Sequence, residues 1–313
     1  MTEEFDFYSR TSLKLYNFEE RIKYQLETLN CLDKATKLHS YNVASVTCRI
    51  CEYLKLDDDF TIYCTTCAYL HDIGKSQIPI SILHKPTRLS DEEFEVLKKH
   101  TTIGYNICNS DPNLKPFANG PLFHHEALNG MGYPSGVKDI DIPFEAKIIR
   151  VADEFEALTV KNKYKTHVGI VDVLNLIIEN TKPINLEISE SLEILANDTK
   201  VGKIDRKIVR ALFKVVVDDI EYEISQKTDY MNYLKQELSR LEKIKSLYKK
   251  IKNSKFIISK ERYKKTLNKL LRYNENLEKI NENLDKSQKR YNDEKKIINK
   301  LHLEIKKIKH LTF

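Results

Sequence analysis

No stretch of this chain approaches the roughly 18 consecutive apolar residues of a spanning helix, so no membrane span is expected. The acidic start Met1-Thr2-Glu3-Glu4 is unlike a secretory leader, and the protein reads as cytoplasmic. No convincing five-residue run of period-2 alternation occurs before residue 200, which removes sheet architectures and leaves an all-α body. No serine or cysteine nucleophile stands beside a base, so covalent catalysis is not indicated. Glycine and proline are scarce and unevenly placed: six of the eight glycines lie between Gly74 and Gly136, and seven of the eight prolines between Pro79 and Pro143. Irregular backbone is therefore concentrated in one segment of a helical chain, the kind of place where functional side chains collect.

The six cysteines include Cys48-x2-Cys51 and Cys64-x2-Cys67, near the spacing of a four-thiolate zinc site. Both pairs fall inside helical patterns, with Val43, Ala44, Thr47, Cys48, Cys51 and Leu54 on one face, and neither has the glycine or proline of a zinc knuckle. They read as buried core thiols. Charge divides the chain. Residues 221–313 hold 25 Lys+Arg against 13 Asp+Glu, a net +12, whereas residues 1–220 hold 27 against 33, a net −6. An acidic body that binds an anionic substrate needs cations to do so. The basic excess of the tail reads as a solvated helical face, and nucleic acid is not expected as a partner.

Against this background stands His71-Asp72-Ile73-Gly74-Lys75, placed where the apolar helical pattern from Thr61 to Leu70 ends. Gly74 offers a turn without a Cβ penalty, and the Lys75 ammonium is read as free to meet an anion. His39 rides on an amphipathic helix from Asp33 to Lys55. Ser90-Asp91-Glu92-Glu93 is a capping-box start for a helix running through His100 to Gly104. His124-His125-Glu126 directly precedes Asn129-Gly130-Met131-Gly132-Tyr133-Pro134, and two adjacent imidazoles are hard to explain as core filler. Asp153 closes an apolar helix from Ala146, where a carboxylate should be paired or bound to metal. Five imidazoles and two carboxylates suit iron or manganese at a hydrolytic site that activates water.

These motifs together resemble the HD-GYP subgroup of HD-domain metal-dependent phosphohydrolases, in order and spacing over roughly residues 30–220. The resemblance implies an HD-type helical bundle with a central metal cluster and phosphodiesterase activity on cyclic-di-GMP. It implies metal ligands at His39, His71, Asp72, His100, His124, His125 and Asp153, with Asp72 bridging two metals. Lys75 would contact the scissile phosphate, and Gly132, Tyr133, Pro134 and Lys165 would line the substrate mouth. The Gly-Tyr-Pro loop is also a candidate surface for a signalling-protein partner.

The chain departs from the family at several points. Many members carry a glutamate four residues before the first ligand histidine, where this chain has Ala35, and a methyl group cannot ligate. Two divalent cations, iron or manganese, are therefore expected instead of three, with Glu126 the one nearby carboxylate available as a substitute. Asn129 and Glu156 replace aspartates, and Asn162-Lys163-Tyr164-Lys165 lacks the phosphate-clamping arginine. A catalytically weak binding module is accordingly the alternative.

Three regions are expected: an N-terminal helical cover over 1–30, the phosphohydrolase domain over 31–220 and a basic helical tail over 221–313. In the tail a heptad register places a at Leu270, Leu277, Leu284, Tyr291, Ile298 and Ile305, and d at Tyr273, Ile280, Ser287, Glu294, Leu301 and Ile308. Such a pattern predicts a coiled coil, either a homodimer contact or a fold back onto the helix carrying Leu234, Leu238 and Leu241.

Overall fold

The computed structural model describes residues 22–159, 202–253, 264 and 277–310. Among these the regular elements are helices joined by turns and loops, and the sole β feature is an isolated antiparallel bridge between Asn129 and Lys138. The fold divides into two units, residues 1–219 with 307–313, and residues 220–306.

In the first unit a short helix, α1 (Lys23–Thr28), leads to α2 (Lys34–Tyr53). Asp33 caps α2 by accepting from the backbone N–H of Ala35 and Thr36, and so fixes where His39 enters, less than two turns later. Asp57 caps α3 (Asp58–Leu70) in the same way, and α3 ends with His71 at its C-cap. A 3₁₀ turn, Ile73–Gln77, and the short α4 (Ile80–Leu83) follow. The capping box at Ser90 is present and opens α5 (Asp91–Lys98). The helix does not run on through His100: it breaks at Lys99, and α6 (His100–Ser110) starts afresh. After α7 (Asn119–Phe123) and the loop holding the Gly-Tyr-Pro segment comes α8 (Phe144–Thr159).

α2 packs on α3 and α8, and α6 packs on the 73–77 turn and on α7. Leu29, Ile50, Tyr69, Leu70, Ile148, Ile149 and Phe155 are fully buried in this unit, and a smaller cluster of Ile78, Leu83, Leu89 and Leu97 supports α5. Cys48, Cys51, Cys64 and Cys67 are buried free thiols, and burial holds Cys64 and Cys67 well above the ordinary thiol pKa. None of the four joins a metal-binding group among the described residues.

Among the described residues the last two long helices are α9 (Arg206–Asn253) and α10 (Leu277–His310), and the division between the units falls within α9. In the second unit Leu234, Leu241 and Ile244 are buried on α9 and Ile280 and Ile305 on α10. Glu294, a polar d position, is paired with Lys227 at 3.1 Å, which links α9 to α10 within one chain. Leu270 and Tyr273 of the heptads lie outside the described residues, as do residues 1–21 of the N-terminal cover. Among the described residues no helix is long and apolar enough to cross a membrane.

Candidate metal centre

Three histidines stand at or just beyond helix C-termini: His71 after α3, His100 after α5 and His124 after α7. Carbonyls of a last helical turn lack some of their regular N–H partners. Each ring exploits one of them, because Nδ1 donates to the carbonyl three residues back: His71 to Ala68 at 2.6 Å, His100 to Leu97 at 2.8 Å and His124 to Pro121 at 2.8 Å. A carbonyl only accepts, so Nδ1 carries the proton, and in the neutral ring Nε2 is a bare lone pair. The Nε2 atoms converge with that of His39. The Nε2 atoms of His100 and His124 lie 3.2 Å apart, and those of His71 and His39 3.3 Å apart.

Asp72 lies at the centre with one oxygen toward each side. Its Oδ2 is 3.2 Å from His71 Nε2 and 3.5 Å from His39 Nε2, and its Oδ1 is 3.5 Å from His100 Nε2 and 3.9 Å from His124 Nε2. Asp153, on α8, sets Oδ1 3.0 Å from His39 Nε2. Three overlapping groups of ligand atoms result, each within 4.8 Å: His39, His71 and Asp153; His71, Asp72 and His124; His100, His124 and His125. All seven residues expected around the cations thus lie in one cluster. Lys75 is not free to meet an external anion as expected, since its Nζ bonds Asp72 Oδ2 at 2.6 Å.

The electrostatics differ across the cluster. Burial opposes a charged imidazolium at His39, yet Glu156 and Asp153 outweigh it and push the pKa up to about 10. Burial lowers His100 to about 4, and burial together with neighbouring imidazoles holds His124 and His125 well below the usual range. Burial alone would raise Asp72, but His71 and Lys75 beside it hold it well below the usual carboxylate range. Asp72 Oδ1 is buried and has no hydrogen-bond partner, a costly arrangement for a charged oxygen unless a cation meets it. A neutral imidazole donor set around such an oxygen fits divalent metal.

Glycines bring these elements together. A Cβ on Gly74 would lie 1.9 Å from the carbonyl oxygen of His100, so this glycine is required by close approach and not by a turn. A Cβ on Gly132 would lie 2.3 Å from the Ala127 nitrogen, which seats the Gly-Tyr-Pro loop directly on the turn after the paired histidines. Tyr133 stacks on His125 with ring centroids 4.7 Å apart, while Lys98 Nζ sits 5.6 Å from the Tyr133 centroid. Gly132 and Tyr133 therefore buttress His125, and Pro134 is exposed. Lys165, with Asn162, Lys163 and Tyr164, lies outside the described residues.

Two residues matter more than their sequence context announces. Glu126 is buried, its Oε1 accepts from the backbone N–H of Ser135 and Gly136, and it belongs to no ligand group among the described residues. It anchors the loop through Oε1, while its Oε2 is buried without a hydrogen-bond partner. Arg150, on α8, braces the same turn by donating to the carbonyls of His125 and Glu126. Their positions inside apolar or histidine-rich runs were the available signal.

Known proteins are similar to this chain over the same region. The family model for the HD domain matches residues 23–187. The chain belongs to the HD-domain family. It is 40% identical over 154 residues to a cyclic di-GMP phosphodiesterase of Thermotoga maritima, covering 47% of this chain and 42% of that one. It is 37% identical over 135 residues to the cyclic di-GMP phosphodiesterase response regulator RpfG of Xanthomonas campestris, covering 42% and 36%. To a 3'3'-cGAMP-specific phosphodiesterase of Vibrio cholerae it is 43% identical over 98 residues, covering 31% and 19%. The similarity thus spans less than half the length of each of these relatives. The HD-GYP resemblance seen in the motifs holds in these matches.

Proposed function

We propose that the chain is a metal-dependent phosphodiesterase acting on cyclic-di-GMP or a related cyclic dinucleotide, with two divalent cations, iron or manganese, held on either side of Asp72. The observation that carries this reading is the division of Asp72: Oδ2 faces His39 and His71, Oδ1 faces His100 and His124, and Oδ1 is otherwise unpartnered. The substrate class is supported by the names of the relatives, two of which act on cyclic di-GMP and one on 3'3'-cGAMP.

His39, His71 and Asp153 would hold one cation and His100, His124 and His125 the other, with Asp72 shared. The bound cations would supply an activated water and charge neutralisation at phosphorus. Lys75 steadies Asp72 at Oδ2, so its contribution to phosphate charge passes in part through that carboxylate. Glu126 and Arg150 hold the turn on which His124 and His125 are presented.

A second reading is a binding module with little turnover, favoured by Asn162 where a clamping arginine is expected. One experiment separates the two. Manganese- or iron-loaded chain is incubated with cyclic-di-GMP and with 3'3'-cGAMP, and the products are chromatographed. Appearance of linear dinucleotide or mononucleotide supports the phosphodiesterase; binding of either ligand with no product over many hours favours the module.

A further inference from the structure

His39 differs from the other histidines of the centre in where it sits. It lies inside α2, where the carbonyls three and four residues back belong to the helical ladder, and it stands at no helix end that would offer a terminal acceptor for Nδ1. The acceptor comes instead from another element. Glu156, buried on α8, places Oε2 2.5 Å from His39 Nδ1, and its Oε1 accepts from Asn42 Nδ2 at 3.0 Å. Asn42 is three residues after His39, and Glu156 three after Asp153, so each pair shares a helix face. The ring of His39 is thereby held at both nitrogens by α8, with Asp153 at Nε2 and Glu156 at Nδ1.

We propose that Glu156, itself steadied by Asn42, is the positioning residue that keeps the proton of His39 on Nδ1 and so turns Nε2 toward a cation. The role rests on the two-cation reading given above. Glu156 takes no cation itself: it belongs to none of the ligand groups among the described residues, and its oxygen lies on the outer nitrogen of the ring. It performs for His39 what the carbonyls of Ala68, Leu97 and Pro121 perform for the other three rings. Removing such a partner weakens metal affinity by about 10- to 100-fold.

The test is manganese binding to the full chain, by calorimetry and elemental analysis, in the parent and in three variants. Glu156→Leu removes the acceptor and should weaken one of two binding events about 10- to 100-fold, leaving the other unchanged. Glu156→Gln keeps an acceptor oxygen but brings an amide NH2 against Asn42, and it should bind with intermediate affinity. Adding Asn42→Asp to Glu156→Gln gives that NH2 an acceptor and should restore the weakened event. A zinc-loaded parent should show His39 protonated at Nδ1 in long-range 15N–1H spectra. Should Glu156→Leu fail to fold, Glu156→Gln alone and Glu156→Gln combined with Asn42→Asp carry the test. Two unchanged binding events in both Glu156→Leu and Glu156→Gln, equal weakening of both events, or failure of Asn42→Asp to rescue would overturn the positioning role. A parent that binds no manganese would overturn the two-cation reading and this role with it.

Discussion

On one side of Asp72 stand His39, His71 and Asp153; on the other stand His100, His124 and His125, and the two sets differ in charge. The first is rich in carboxylates, with Asp153 and Glu156 both on His39, and there the imidazole pKa rises to about 10. The second contains imidazoles alone apart from Asp72 Oδ1, and there burial takes His100 down to about 4. With His39 raised and His100 lowered, a cation entering the first set should displace a proton at neutral pH, whereas one entering the second should not. The difference teaches that one buried site can prepare its donors in two ways, by compensating charge or by removing it.

The strongest way to break this comparison is to unite the two sets in failure. Asp72→Asn removes the charge on which both depend and should cost several kcal/mol of transition-state stabilisation, abolishing hydrolysis while circular dichroism stays helical. Retained turnover with full metal content would mean that the two sets work independently of Asp72. Gly74→Ala comes next. Its Cβ would meet the His100 carbonyl oxygen at 1.9 Å, and that backbone atom cannot swing aside, so the fold must shift at a cost of about 3 kcal/mol. Thermal denaturation should show it, and an unchanged midpoint would mean that the two elements separate freely. The smallest effect sharpens the contrast. Because His39 is held protonated below about 10, raising the pH should strengthen cation binding at its side by about tenfold per unit over the neutral range, with proton release. His100, lowered to about 4, has no proton to release there, so the other side should stay flat. Calorimetry in buffers of different ionisation enthalpy reads both, and two binding events with equal proton release would erase the distinction.

Much of this was legible in the chain, for local reasons. The all-helical character followed from the absence of period-2 alternation, and the Ser90 capping box from a four-residue pattern. His71-Asp72, His100, His124-His125 and Asp153 stood out because polar side chains in apolar or glycine-rich surroundings call for partners. What was not legible depends on contacts between distant segments. Glu156 reads in sequence as an aspartate lengthened by one methylene, and its partner His39 is 117 residues away. Gly74 reads as a turn residue until the His100 carbonyl is seen against it. The break at Lys99 was missed because Phe94, Leu97 and Ile103 keep a helical rhythm across it. Glu294 stands as a polar residue at a d position, and only the structure supplies its counter-charge, Lys227.

The approach of Gly74 to the His100 carbonyl also acts as a mechanical stop. Asp72 lies two residues before the glycine, and His100 owns the carbonyl, so the gap between one cluster half and the carboxylate shared with the other is bounded from below by atoms already in van der Waals contact. A side chain at position 74 would push the two elements apart, and with them the donors that each carries. The spacing between the two parts of the cluster thus depends on a hydrogen atom where any other amino acid would carry a side chain.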